Sequence, residues 1–339
     1  MKYKLLKNEE ILSEQCLSYI NNHPYGTIFH TPYMFEVYKE TPNYEPFAYY
    51  AVDEQRQIKA MLSGVIQTVK PGFLSSLSKR AVMMQAPIFD EIEALDFLLS
   101  EYSKLMKHKV VYTEVRNHYD PECMSRTMLK NGFKYEDHLN IIVDLSQDED
   151  VIFSQINSTR RKQIKRGYKR GVQSHIEYGS NMEIVGKCYE LIHSLYKRLG
   201  LPYPEKNHIE SAFNLANKNT YPVCFYLKYN EQIIGTRMVL CYKKCIYDWY
   251  AASLENYYDK YPNDILPWEV FQWGHQNEFS IFDFGGAGKP NVPYGVRDYK
   301  MKFGGKLVNY GRFTLVHNPI KMKLAETGFK IYQKFNYNK

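Results

Sequence analysis

The sequence lacks most of the features that assign a protein on sight. Its six cysteines (Cys16, Cys123, Cys188, Cys224, Cys241, Cys245) form no CxxC pair, and Cys241 with Cys245 has no nearby histidine. This excludes a zinc ribbon, a thioredoxin-like motif and a disulfide framework, and leaves the thiols as reduced packing residues. His30, His175 and His275 show no spacing for a metal or a nucleophile pair, so no metal site is expected. No run of about 18 apolar residues occurs. The first ten residues lack the apolar core of a signal peptide. The expectation is a cytoplasmic protein that neither spans a membrane nor is exported. An intense charge bias is missing as well. The 44 Lys and Arg against 37 Asp and Glu leave +7, too mild for a dedicated DNA-binding protein but suited to local contact with phosphate-bearing partners.

What is present is length and a repeated pattern. The 339 residues exceed what one hydrophobic core normally supports. Thr31 before Pro32 predicts a helix start, residues 47–52 and 58–69 an antiparallel hairpin, 91–107 a helix and 110–115 a strand. The aromatic strand, acidic turn and β-branched return at 49–59 recur at 225–235, so one α/β unit is duplicated. The predicted bounds are 1–148 for the first domain, 149–317 for the second and 318–339 for a basic amphipathic helix carrying Met322, Leu324, Phe329, Tyr332 and Phe335. That last helix packs on the second domain or lies on an anionic membrane surface.

Two segments of the second domain carry the candidate chemistry. The strand at 281–284 runs into Gly285-Gly286-Ala287-Gly288-Lys289, a loop whose bare amides can close on an anion or a carbonyl oxygen. Tyr294, Arg297, Tyr299, Lys300 and Lys302 follow. The alternative is a plain glycine turn with solvated lysines. A helix predicted over 151–170 concentrates Arg160, Arg161, Lys162, Lys165, Arg166, Lys169 and Arg170. It is either a solvated cationic face or a phosphate site. The substrate-binding candidates are therefore Arg160, Arg161, Lys165, Lys289, Tyr294, Arg297 and Lys300.

The succession of Tyr247-Asp248-Trp249-Tyr250, Tyr261-Pro262-Asn263-Asp264, Phe282-Asp283-Phe284-Gly285-Gly286 and Gly295-Val296-Arg297-Asp298-Tyr299-Lys300-Met301-Lys302-Phe303-Gly304-Gly305 resembles the FemAB family. These are tandem GNAT-fold acyltransferases that include the peptidoglycan bridge-forming aminoacyl transferases. The resemblance covers most of 150–315, including the basic helix with Arg160-Arg161 and Lys165-Arg166. It implies two GNAT-like domains, each a mixed, mostly antiparallel sheet flanked by helices. It also implies transfer of an acyl or aminoacyl group from a carrier, aminoacyl-tRNA or acyl-CoA, to an amine of a phosphorylated, lipid-linked or soluble, cell-wall or surface-polysaccharide precursor. The sequence has neither a sustained heptad pattern nor a Gln/Arg-x-x-Gly-x-Gly/Ala loop, and so does not choose between tRNA and CoA.

In a GNAT-type sheet the acyl group lies where two central strands part, expected here between 236–240 and 246–250. Tyr250, Trp268 and the Gly285-Gly286 backbone then border the reacting centre. Asp283 is the first candidate for the base or amine-orienting group, with a loop-capping carboxylate as its alternative. Asp248 carries the same two readings. Two other functions stay open: an acyl-CoA-dependent amino-sugar N-acyltransferase, and a silent GNAT pair that binds a phosphorylated glycan or RNA.

Overall fold

The computed structural model describes residues 2–68, 78–324 and 327. The chain divides into two compact units, 1–137 with 310–339, and 138–309. The sheet of the first unit runs, in spatial order, Lys4–Lys7, Tyr44–Val52, Ile58–Thr68, Lys79–Met83, Tyr112–Arg116, Arg312–Val316, Lys134–Glu136. That of the second runs Gln173–Glu177, Thr220–Tyr229, Gln232–Tyr242, Cys245–Ser253, Ile281–Gly286, Leu139–Asp144, Lys306–Asn309. The two orders match place for place. In both, the fourth and fifth strands are the parallel pair, and the paired stretches are Arg80↔Tyr112 to Met83↔Val115 and Cys245↔Ile281 to Tyr247↔Asp283. The hairpins read as repeats in the sequence occupy the second and third places of each sheet.

The predicted bounds at 148 and 317 need correction, because each sheet takes its sixth strand from elsewhere in the chain. Leu139–Asp144 follows Lys134–Glu136 directly, yet pairs with Ile281–Gly286 and Lys306–Asn309 of the second unit. Arg312–Val316 returns to lie between Tyr112–Arg116 and Lys134–Glu136 of the first. The stretch 306–316 looks like one alternating strand in sequence but splits at Tyr310-Gly311. Gly311 has φ +64°, and a Cβ there would come 2.2 Å from the Tyr135 ring, so only glycine makes this turn. Strand alternation cannot show which sheet a strand joins.

The helix expected over 151–170 is two helices, Glu149–Gln155 and Ser158–Lys169. Ile156 and Asn157 are extended between them, and the Asn157 side chain accepts from the Thr159 amide at 3.0 Å as an N-cap. Thr31 caps Pro32–Lys39 as the sequence predicts, accepting from the Met34 amide. Of the helix proposed over 318–339, the residues up to 324 are helical from 319, with Asn318 Oδ1 accepting from the Lys321 amide at 2.9 Å; Phe329, Tyr332 and Phe335 lie outside the described residues. No helix among the described residues is long and apolar enough to cross a membrane.

Period-two alternation sends the second sheet's side chains to two cores. Val223, Phe225 and Leu227 join the larger one, against Ile265, Phe271 and Ile164 of helices Pro262–Gln276 and Ser158–Lys169. Cys224 and Tyr226 face the other, against Val185, Ile192 and Phe213 of helices Met182–Arg198 and Lys206–Asn214. Because Leu139–Asp144 sits between two strands of this sheet, a fragment 149–317 should fail to fold. A fragment 138–309 should unfold cooperatively, and urea titration followed by far-UV circular dichroism compares the two.

Candidate active site

The second sheet opens at its parallel pair. Pairing between Cys245–Ser253 and Ile281–Gly286 ends at Tyr247↔Asp283, while both strands run on. From Asp248 onward the edge facing Ile281–Gly286 has no strand partner among the described residues. In the first unit Lys79–Met83 ends with its pairing, and no such wedge forms. The opening expected between 236–240 and 246–250 is corrected by the register. Those strands stay paired from Gly235↔Ser253 to Tyr242↔Cys245, interrupted only where Trp249 bulges out between Asp248 and Tyr250. Hairpin strands hold each other along their length, whereas a parallel pair joined by a helical crossover is free to diverge.

One wall of the wedge is fixed by aromatic packing. Phe282 and Phe284 meet edge-on at 4.6 Å, and Phe271 reaches them at 5.2 and 5.9 Å. Phe303 closes the group at 6.0 Å from Phe284. Each such pair adds about 0.5–1.5 kcal/mol beyond its buried area. Trp268, expected at the reacting centre, belongs to this same core; it is 6% exposed and packs on Phe153 at 4.7 Å. Asp283 is 2% exposed, and its carboxylate accepts the Gly285 amide at 2.7 Å. That is the loop-capping arrangement. Gly285, at φ +69°, makes the turn that the bond requires.

The floor is a buried ion pair. Arg237 is 5% exposed and donates from Nη1 to Asp248 Oδ2 at 2.7 Å, with its guanidinium 5.7 Å from the Phe284 ring centre. Burial works against the Arg237 charge, but the Asp248 carboxylate together with the nearby Tyr299 and Tyr196 hydroxyls outweighs it, and the guanidinium holds its proton more firmly than usual. Arg237 Nε and Asp248 Oδ1 are both buried without a hydrogen-bond partner among the described residues. One is a donor and the other an acceptor, on two side chains already joined. Tyr196 and Tyr250 stand beside them with ring centres 6.1 Å apart, and Trp249 adjoins Tyr250 at 5.1 Å. Burial pushes the Tyr196 hydroxyl up to about 12, and Asp248 adds to the rise. Trp249 is held from behind by the ring of buried His208 at 5.2 Å.

Three of the sequence-predicted cations are taken up inside the protein near this site, Arg160 by a carboxylate and Arg297 and Lys300 by backbone carbonyls. Arg160 donates to buried Asp264 at 2.7 Å and lies 5.7 Å from the Tyr299 ring, while the Asn157 amide bonds Lys302 O at 2.8 Å. The basic helix thus meets helix Gly295–Met301 at Tyr299. Tyr299 is itself tied through its hydroxyl to Asn263 O at 2.5 Å. Lys300 donates to Phe284 O at 2.5 Å and Gly286 O at 3.2 Å, and burial lowers its pKa. Arg297 donates to Lys289 O and Val292 O, both at 2.7 Å, and to Ala287 O at 3.4 Å. It braces the glycine loop from inside. Lys289 and Tyr294 are exposed on that loop, and Tyr294 packs over Gly288. Arg161 is partly buried with Nε unpartnered, and exposed Lys165 lies 5.5 Å from the Phe153 ring centre. The solvated stripe of the basic helix is Lys162, Lys165, Arg166 and Lys169, at i, i+3, i+4 and i+7, with no carboxylate partner among the described residues.

Sequence reasoning did not single out Arg237, Asp264, Tyr196 or His208. Arg237 left a signal, as a lone cation inside the apolar strand Gln232–Tyr242, with Asp248 on the next strand of the hairpin. A buried charge in such a strand needs a partner, and the partner marks the site.

Residues 158–301 match the acetyltransferase (GNAT) domain family. The second unit carries a GNAT domain. In overall fold the chain is similar to FemX, at TM-score 0.72 and 14% identity over 94% of this chain and 99% of that one. It is also similar to L-PGS from Bacillus licheniformis, at TM-score 0.59 and 14% identity over 92% and 96%. A tandem GNAT protein from the clavulanic acid biosynthesis pathway matches at TM-score 0.60 and 8% identity over 94% and 99%. No curated protein matches the chain in sequence. The fold is that of a tandem GNAT protein, similar to that of FemX.

Two outcomes are expected of the GNAT unit. Arg297→Ala leaves three loop carbonyls without their donor and should cost about 2 kcal/mol, with Arg297→Lys recovering part of it, both measured by urea unfolding. His208, 4% exposed, has its pKa lowered by burial from 6.5 to about 4. The folded state then binds fewer protons than the unfolded chain between those values, so stability rises with pH there and is lost on acidification. The loss is on the order of 3 kcal/mol, and His208→Phe should flatten that part of a stability–pH curve.

Proposed function

We propose that the second unit transfers an acyl or aminoacyl group from a carrier to an amine, and that the acceptor amine is held by Asp248 at the wedge between Cys245–Ser253 and Ile281–Gly286. The observation that supports this reading is the unpartnered Oδ1 of Asp248, buried where the parallel strands part. Oδ2 is engaged by Arg237, which fixes the carboxylate's orientation, so Oδ1 is the atom left to accept an N–H. An amine held by one N–H presents its lone pair to a carbonyl carbon beside it. Proximity of this kind is a large share of what acyl transfer to nitrogen requires.

The carrier's acyl carbonyl would lie along the unpaired edge beyond Asp248, where backbone amides serve as donors to the developing oxyanion. Attack forms the C–N bond, and collapse of the tetrahedral intermediate breaks the bond to the carrier oxygen or sulfur, which leaves with a proton from the amine. Lys300 holds the carbonyls of Phe284 and Gly286 away from this space, so it acts on the shape of the wall. Asp283 caps the loop in support. The resemblance of the motifs to the FemAB family suggests an amine on a cell-wall or surface-glycan precursor as acceptor, and the match to the GNAT domain favours acyl-CoA as carrier.

The test follows label from a carrier into an amine. Purified protein with radiolabelled acetyl-CoA, or with aminoacyl-tRNA, and a cell-wall precursor pool should yield labelled amide product. Asp248→Asn should lower kcat by about 100-fold or more, measured at a temperature where circular dichroism shows the variant folded because it also leaves buried Arg237 without its carboxylate and should cost about 3 kcal/mol, and Asp283→Asn should lower kcat by far less. Full activity in Asp248→Asn would sink the assignment. Ligand retention without product in the unaltered protein would favour a binding role.

A further inference from the structure

A separate groove of about 700 Å³ lies in the first unit, among helix Ser13–Asn22, the loop after it, the start of strand Ile58–Thr68 and Phe89-Asp90. Gln15, Ser18, Tyr19 and Asn22 all line it, at i, i+3, i+4 and i+7, so one whole face of the helix turns uncharged amides and hydroxyls toward the space. The Tyr19 hydroxyl is buried there without a hydrogen-bond partner among the described residues. At one end the Tyr25 ring stacks on Tyr119 at 4.0 Å and 10°, has the His23 ring tilted against it at 5.9 Å, and keeps 43% of the residue exposed. Asp90, exposed, adds a carboxylate to the lining.

The charges set the ligand class. Lys59 is the one Lys or Arg in this lining, and its ammonium is shared by Asp53 at 3.5 Å and Glu91 at 3.6 Å. A phosphate would find no uncommitted cation. A neutral ring with many hydroxyls fits better, since its C–H face stacks on a tyrosine while its hydroxyls bond amides, hydroxyls and a carboxylate. The volume is in the range of small-molecule sites, enough for two or three sugar rings. We propose that this groove binds a neutral saccharide, with Tyr25 as the stacking platform and Asn22, Tyr19 and Asp90 as hydrogen-bonding partners. The proposal is independent of the transfer reaction assigned to the second unit.

Saturation-transfer NMR on the full chain, with cellobiose and N,N′-diacetylchitobiose at millimolar concentration, tests it. Ring protons of at least one disaccharide should be saturated. Affinity should fall about fivefold in Tyr25→Ala, be retained in Tyr25→Phe, which keeps the ring, and weaken in Asn22→Ala. Asp248→Asn should leave binding unchanged whether or not it abolishes turnover, so the two readings fail separately. Absence of transfer to both disaccharides, transfer unaffected by Tyr25→Ala, or loss of transfer in Asp248→Asn would overturn the proposal. So would stronger binding of uridine or glucose 6-phosphate than of either disaccharide.

Discussion

A buried arginine in the middle of an apolar strand is the constraint around which the second unit is arranged. Taking the Arg237 guanidinium out of water is costly unless a carboxylate meets it, and Asp248 on the adjacent strand does so at 2.7 Å. The bulge at Trp249 adjoins that pair, the extra residue separating Asp248 from Tyr250 along the strand. The bulge lies where pairing with Ile281–Gly286 has stopped. Charge, bulge and wedge therefore occupy one place. Each would be a defect alone; together they make a polar floor inside an otherwise hydrophobic sheet.

The surroundings supply rigidity. The aromatic cluster of Phe271, Phe282, Phe284 and Phe303 fixes the wall across the wedge, and His208 holds Trp249. Arg297, Lys300 and Asp283 bind the backbone of the glycine loop from three directions. A site built on strands and braced in this way can hold a reacting geometry closely. Three of the cations that looked like ligand-binding groups, Arg160, Arg297 and Lys300, serve as internal supports. The cations left without a carboxylate, Lys162, Lys165, Arg166 and Lys169, lie on a different face of the basic helix from Arg160.

The two units share a strand order and differ in what they do with it. In the first the parallel pair ends flush and the chain forms a groove lined by uncharged polar groups beside a stacked tyrosine. In the second the pair diverges around a buried charge. Each sheet also takes its sixth strand from a distant part of the chain, which ties the folding of one unit to residues encoded beyond the other's start or end. Such long-range pairing closes large loops, and it is expected to slow folding relative to two sequential domains.

Much of this was legible in the sequence. Alternation, turn residues and caps placed the repeated hairpins, the Thr31 cap, the helix near 92–106 and the strand at 281–284, because those signals depend on neighbours a few residues away. The order of motifs from Tyr247 to Gly305 pointed to a tandem GNAT fold, and the basic helix meets the helix that follows the glycine loop at Tyr299. What local pattern could not carry was partnership. Whether 139–144 pairs with its chain neighbour or with a strand more than a hundred residues away changes no alternation, and the resulting bounds were misplaced for that reason. A carboxylate's role likewise depends on what meets its two oxygens. Asp283 and Asp248 look alike as strand-end acids, and only packing gave one the Gly285 amide and left the other with an oxygen unclaimed.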